Sequence, residues 1–285
     1  MTSAVPYAEV IGDPIGHSKS PLIHDFWLGK LGMQGEYRAT RVGKDDLPGY
    51  LNDRRRDPAW RGCNLTMPLK EAALPLAARR SHDAELVKAT NCIVAEGCAA
   101  LCAHNTDVDG VRAALSDDPL RPARGSAATL FNLIGTGGAA RAALAELRGR
   151  EFTIFGRDLA KARALAGEFG AGEGSHRHLD ALVGNDQPVA KERRRYVIIN
   201  ATSLGMTGHP TLEIRLDAYP ANTIVIDMVY DPLETELLKE ARRLGMVAVD
   251  GLVMLIGQAA RAFELFFGAP PPREHDAELR RLLTA

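Results

Sequence analysis

Cysteine is scarce in this chain: Cys63, Cys92, Cys98 and Cys102 are the only four in 285 residues. So few cannot build a disulfide scaffold at this length, and the thiols read as buried and reduced. Three of them closely precede His104, which raises zinc. No CxxC pair is present, however, and two lie in strand-like apolar text, so no metal is expected. Charge of one sign is equally lacking. Lys plus Arg is 35 against 36 Asp plus Glu, a formal net charge of -1. That balance removes the electrostatic case for nucleic acid or an anionic membrane as partner. Long apolar runs are missing too. The longest, from 251 to 268, is broken by Gln258, Arg261 and Glu264, which excludes a simple membrane span. The segment MTSAVPYAEVIGDP has neither a basic n-region nor an apolar h-region, so no secretory signal is read there. The expectation is a soluble, cytoplasmic protein of about two domains, with 46% apolar and 25% charged residues.

What is present falls into two textures. Up to about residue 110, YAEVIGDP, EYRATRV, RGCNLTMP, NCIVAEG and ALCAHNTD read as strands, with a hairpin turn at Glu96-Gly97. Ser20 as N-cap and Pro21 at the first helical position open LIHDFWLGKLG as a helix, and Pro68 opens LKEAALPLA. From about residue 128 strands and helices alternate: TLFNLIG, an alanine-rich helix, FTIFGRD, LAKARALAGEFG, then YVIINAT, TIVIDMVYD, TELLKEARRLG and MVAVDG. Such alternation indicates a parallel sheet with crossover helices. The stretch 170–195, carrying Lys191, Arg193, Arg194 and Arg195, reads as a solvated surface loop. Leu252, Leu255, Ile256, Ala259, Phe263, Phe266 and Phe267 form one apolar face of a final helix, ended by Pro270 to Pro272.

Among the 27 glycines, Gly135 and Gly137 have a specific address. With Ala140 they fit G-x-G-x-x-G/A between an apolar strand and a helix. The first glycine serves a tight turn, the second a close approach of backbone to pyrophosphate, and the small third residue helix–sheet packing. This points to a dinucleotide, held also by Thr136, Gly138 and Ala139. At the tip of the next strand, Gly156-Arg157-Asp158, an arginine accommodates the 2′-phosphate of NADP and Lys161 adds positive charge. Asp158 instead suits the free 2′-hydroxyl of NAD. NADP is expected, with NAD open.

The runs VIGDPIGHSKSPLIH, GCNLTMPLK, ATNCIV, HNTDVDG, GTGGAAR, NATSLGM, DMVYDPLETELL and GLVMLIGQAARAFE, in this order, resemble the shikimate dehydrogenase family. The resemblance implies NADPH-dependent reduction of 3-dehydroshikimate to shikimate in the aromatic amino acid precursor pathway. It also implies a two-domain α/β fold with a cleft between the domains. One is an N-terminal substrate domain, 1–108, completed by the C-terminal helix at 250–285. The other is a Rossmann-type nucleotide domain, 109–249. Carried over by position, Lys70 and Asp107 match the catalytic pair. Ser18 and Ser20 match the hydroxyls that hold the substrate carboxylate. Asn64, Thr66, Asn91, Tyr230 and Gln258 match other substrate contacts. Thr202, Met228, Gly251 and Met254 match the cofactor side. The chemistry agrees with these roles. Hydride addition to a ketone creates alkoxide character that a positioned proton donor relieves, and a polyhydroxylated ring needs uncharged donors and acceptors around it. Gln258 in an apolar helix is costly to bury without a partner.

The chain departs from the family pattern in G-T-G-G at the glycine turn, G-R-D at the second-strand tip and K-A-T-N-C before the first hairpin strand. These leave open a quinate/shikimate dehydrogenase using NAD or both cofactors, and a nucleotide-binding paralogue without turnover. Monomer and homodimer are both compatible with the sequence.

Overall fold

The computed structural model describes residues 4–96, 100–116, 129–184 and 194–285. The chain forms two compact units, Met1–Gly110 with Ile256–Ala285, and Val111–Leu255.

The first unit is built on six strands: β1 (Tyr7–Gly12), β2 (Glu36–Arg41), β3 (Trp60–Leu65), β4 (Arg79–Arg80), β5 (Cys92–Glu96) and β6 (Ala100–His104). Their order is β2-β1-β3-β5-β6-β4. β1 runs parallel to β2 and β3, whereas β5 is antiparallel to both β3 and β6. The turn expected at Glu96-Gly97 lies, from Gly97 on, outside the described residues, as does Cys98. Every side chain of β1 is buried, as befits a central strand covered on both faces. That includes Glu9, whose carboxylate accepts from Arg54 Nε and Trp60 Nε1 at 2.9 Å each and from Thr40 Oγ1 at 2.7 Å. A buried charge so fully bonded ties β2, β3 and helix α2 (Leu47–Arg54) to the centre of the sheet.

Helix α1 (Ser20–Leu31) starts one residue earlier than its Ser-Pro signature suggests. Lys19 is the N-cap and Ser20 is already helical, while Ser18 Oγ accepts the Ser20 N–H at 3.3 Å. Two further short helices, α3 (Lys70–Ala73) and α4 (His82–Val87), lie in this unit, and α5 (Asp107–Leu115) leaves it. The last long helix, α9 (Gly251–Phe267), enters the unit at Ile256. The part of its expected apolar stripe from Ile256 onward lies there: Phe263 meets His24 and Trp27, and Phe266 meets Tyr37, at centroid distances of 5.6 to 6.3 Å. A closing helix, α10 (Asp276–Thr284), was not legible in the sequence. The Lys30–Glu278 ion pair joins it to α1 at 2.7 Å. An exposed pair of this kind contributes under about 1 kcal/mol. Fully burying Leu279 and Leu283 contributes roughly 2 kcal/mol each, so apolar burial is what docks the helix.

The second unit is a six-stranded parallel sheet: β7 (Thr129–Ile134), β8 (Glu151–Gly156), β9 (His176–His178), β10 (Arg195–Asn200), β11 (Ile224–Asp227) and β12 (Val247–Val249). Helices α6 (Gly138–Glu146), α7 (Leu159–Glu168) and α8 (Glu236–Arg243) connect them. The order is β12-β11-β10-β7-β8-β9, the doubly wound arrangement with its switch point between β7 and β10. The stretch 170–195 is not simply a loop. It supplies edge strand β9 and a 3₁₀ turn (Leu179–Leu182) whose Leu182 is fully buried, an apolar anchor within polar text. Lys191 and Arg193 lie outside the described residues. Arg194 pairs with Glu151 at 2.8 Å, and Arg195 begins β10.

His24 is a buried polar side chain of the first unit. It is fully buried, stacked on Tyr37 at 4.0 Å, and neither ring nitrogen has a hydrogen-bond partner among the described residues. Burial pushes its imidazole from the ordinary 6.5 down to about 3. Between those values the unfolded chain binds a proton that the folded chain refuses, so stability falls as pH drops from about 6.5 toward about 3. His24→Phe keeps the stack and removes the titration. Thermal denaturation should show a melting-temperature drop between about pH 7 and about pH 5 that is smaller by about 4 °C than in the unsubstituted protein.

Candidate active site

Because β5 runs against β3 and β6, the carboxyl ends of β3 and β6 and the start of β5 meet at one edge of the first sheet. Asn64 lies opposite Cys92, and Cys92 opposite His104. The residues next to these, Thr66, Asn91, Thr106 and Asp107, therefore gather at that edge. Lys70, the first residue of α3, is drawn to them by Thr90, whose N–H donates to the Lys70 carbonyl at 2.9 Å.

Lys70 Nζ donates to Asp107 Oδ2 at 2.5 Å, with 31% of the lysine side chain and 10% of the aspartate side chain exposed. The lysine is thus the more exposed member of the pair. The other carboxylate oxygen, Oδ1, accepts from Asn91 Nδ2 at 2.9 Å. Asn91 is buried and saturated. Its Oδ1 accepts the Thr106 N–H at 2.7 Å, its Nδ2 also reaches Thr106 Oγ1 at 3.0 Å, and its carbonyl accepts from Leu65 N and Asn64 Nδ2 at 2.8 and 3.0 Å. Asn91, expected as a substrate contact, also aims Asp107 in this geometry.

Two residues in this mesh escaped the sequence reading of individual side chains. Thr106 bridges Asn91 to Gln258 of α9, its Oγ1 lying 3.4 Å from Gln258 Oε1. Its signal was its place inside N-T-D. Tyr37, on β2, donates its hydroxyl to Asn64 Oδ1 at 2.6 Å inside the core. Nothing in the alternating text EYRATR marks it. With its oxygen held by Tyr37 and one amide N–H given to the Asn91 carbonyl, Asn64 has its second amide N–H left to offer. Thr66 is half-buried just beyond β3, and Ser18 and Ser20 stand at the start of twelve-residue α1.

In the second unit, β7 runs into Gly135, whose φ of +118° suits glycine. A Cβ there would come within 3.0 Å of the Ala201 carbonyl oxygen and Thr202 Cγ2, so the turn is pressed against the loop after β10, at the switch point. Gly137 is the N-cap of nine-residue α6, and a Cβ on Gly137 or Gly138 would meet nothing within 4 Å. The turn therefore presents open backbone N–H groups at a helix N-terminus, with Thr136 and Ala139 in the same turn and Ala140 fully buried against the sheet. These features fit a dinucleotide pyrophosphate. At the tip of β8, Gly156 is buried while Arg157, Asp158 and Lys161 are exposed. Asp158 Oδ1 accepts the Lys161 N–H at 3.0 Å, capping α7. Arg157 and Lys161 make no ion pair among the described residues. Thr202 turns its hydroxyl inward to Asn200 Oδ1 at 2.7 Å. Met228 and Tyr230 follow β11 and are half-buried, and burial followed by the Asp231 charge raises the Tyr230 phenol. Gly251 opens α9 where a Cβ would lie 2.5 Å from the Val229 carbonyl oxygen, and Met254 is half-buried one turn on.

Known proteins resemble this chain in sequence and fold. The family described as the shikimate dehydrogenase substrate binding domain matches residues 10–93, and the shikimate 5'-dehydrogenase C-terminal domain matches residues 251–278. A protein of Sphingopyxis alaskensis named shikimate dehydrogenase (NADP(+)) is 47% identical, over 99% of this chain and 98% of its own. The chain belongs to the shikimate dehydrogenase family. Among solved members, shikimate 5-dehydrogenase of Thermus thermophilus, in complex with NADP(H) and shikimate, is 34% identical, with a TM-score of 0.82 over 97% of this chain and 99% of its own. Quinate dehydrogenase of Corynebacterium glutamicum, in complex with NAD, is 28% identical, with a TM-score of 0.84 over 98% of this chain and 99% of its own. No helix among the described residues is long and apolar enough to cross a membrane.

The hydrogen bonds at Asn91 set a measurable cost. Asn91→Ala leaves the Thr106 N–H without its acceptor and Asp107 Oδ1 without its donor. In urea denaturation the unfolding free energy should fall by about 2 kcal/mol.

Proposed function

We propose that this member of the shikimate dehydrogenase family is the NADP-dependent enzyme that reversibly reduces 3-dehydroshikimate to shikimate. On this reading it works in the cytoplasm as a monomer or homodimer, on small molecules and not on nucleic acid or membrane. The observation that carries the reading is the Lys70–Asp107 pair at 2.5 Å, with Asp107 fixed from behind by Asn91. The bound nicotinamide supplies a hydride to the substrate ketone. The oxygen of that ketone then gains negative charge, and the Lys70–Asp107 pair moves a proton to it. Lys70 Nζ, on the more exposed member of the pair, holds the proton, and Asp107 Oδ2 keeps the ammonium in place. Ser18 and Ser20, at the start of α1, take the substrate carboxylate. Asn64 offers its remaining amide N–H to a ring hydroxyl, with Thr66, Asn91, Gln258 and Tyr230 as further polar contacts. In the nucleotide unit the turn from Gly135 to Ala139 takes the pyrophosphate. Arg157 and Lys161 take the 2′-phosphate. Gly156, Thr202, Met228, Gly251 and Met254 border the rest of the cofactor.

Asp158 is the observation that favours the second reading, NAD use with quinate. Its capping bond to Lys161 N–H weakens that reading, because one carboxylate oxygen is already engaged by the helix it caps. Steady-state turnover of shikimate and of quinate, each with NADP and with NAD, tests both. Shikimate with NADP should give the highest kcat/KM, and a preference for quinate with NAD would replace the first reading by the second. No turnover with any combination would leave a nucleotide-binding paralogue. Lys70→Ala should lower kcat by about 10²- to 10⁴-fold while calorimetric NADPH affinity stays within about twofold. Unchanged turnover would remove Lys70 from the mechanism.

A further inference from the structure

On the β5–β6 hairpin, residues on one face alternate with residues on the other, so Cys102 and His104 share a face with Glu96 across the ladder. One ligand atom from each of these three side chains lies within 4.8 Å of the other two. Their donor types are sulfur, nitrogen and oxygen. Cys102 is buried, His104 half-buried and Glu96 exposed, so the cluster opens to solvent on the glutamate side. His104 Nε2 is buried with no hydrogen-bond partner among the described residues. Such an atom ordinarily costs about 1–3 kcal/mol unless something binds it. Burial, and then the nearby Arg261 charge, lower the His104 imidazole, and that same charge opposes an incoming cation. None of the three side chains takes part in the chemistry described above.

We propose that Glu96, Cys102 and His104 form a binding site for a borderline-soft divalent cation of the zinc class. Mixed thiolate, imidazole and carboxylate donors suit Zn²⁺ and not Mg²⁺ or Ca²⁺, which prefer all-oxygen sets. Three protein ligands leave a fourth tetrahedral position for water. Binding releases the Cys102 thiol proton to solvent, and the thiolate and carboxylate together neutralise the dication. The spacing in sequence, without a CxxC pair, conceals the set because the hairpin and not a loop assembles it. Glu96 also has a cationic neighbour: Arg79 Nη1 lies 3.4 Å from its Oε2. An incoming cation must displace that exposed, weak pair. The site also adjoins the catalytic mesh, since the His104 carbonyl accepts from Thr90 Oγ1 at 2.7 Å and from Asn91 N at 3.2 Å.

The test is titration of the full, reduced, metal-free chain with Co²⁺ alone, followed by displacement with Zn²⁺. One equivalent should bind with a thiolate-to-cobalt charge-transfer band and the visible bands of a tetrahedral site, all abolished by Zn²⁺. Cys102→Ser should lose the charge-transfer band. Glu96→Gln, at an exposed side chain that folding tolerates, and His104→Gln should each weaken binding at least about tenfold. Arg79→Gln should tighten it. Absence of the charge-transfer band in the unsubstituted chain overturns the proposal. So does a band that survives Cys102→Ser, or a Glu96→Gln chain that binds as tightly as the parent.

Discussion

The first unit depends on a single residue placed between three strands. Asn91 accepts from β3 through its carbonyl, donates to the last residue of β6 through its N–H, and grips Thr106 and Asp107 through its side chain. Antiparallel pairing at β5 is what makes this possible, because it brings a strand start beside two strand ends. The ion pair at this edge has its geometry imposed from the sheet. A lysine and an aspartate on flexible loops would lose side-chain entropy each time they met. Here the aspartate is held by a buried amide, so only the lysine retains freedom.

The second unit solves a different problem with different means. Its strand order reverses between β7 and β10, and the loops after those two strands press together at Gly135 and Thr202. Thr202 and Asn200 satisfy each other within the second loop, and Asn200 Nδ2 in turn reaches buried Asp227 Oδ1 at 2.9 Å. Polar side chains thus brace the wall of the turn, and the glycines leave its mouth open. The helix dipole and the unengaged N–H groups of α6 act on whatever lies there. Farther out, Arg157 and Lys161 at the tip of β8 form no ion pair among the described residues, and the neighbouring Asp158 is occupied as a helix cap.

Much of this was legible in the chain. The buried strands announced themselves as short apolar runs between helical text, and the glycine turn by its position between a strand and a helix. Motif order alone singled out Lys70, Asp107 and Asn91. What pattern could not carry was long-range and polar. The bond from Tyr37 to Asn64 spans 27 positions between ordinary strand residues, and only the parallel register of β1, β2 and β3 makes them neighbours. Leu182 and its 3₁₀ turn were hidden because one apolar anchor inside hydrophilic text has no periodicity to read. The cap of α1 slipped by one residue because Ser-Pro signals a helix start more firmly than its first position. α10 went unread because its polar residues dominate, although Leu279 and Leu283 bury fully.

The chain order of the two units has a consequence for biosynthesis. Residues Ile256–Ala285 belong with Met1–Gly110, and Val111–Leu255 intervenes. During vectorial synthesis the first unit emerges earliest but lacks the helix that covers Trp27, His24 and Tyr37. The inserted parallel-sheet unit can reach its full sequence and fold while that aromatic face waits. The chain order is thus nested, with the inner body complete in sequence before the outer one. Until the final helices are released, the exposed aromatic face is where a nascent-chain chaperone has most to cover.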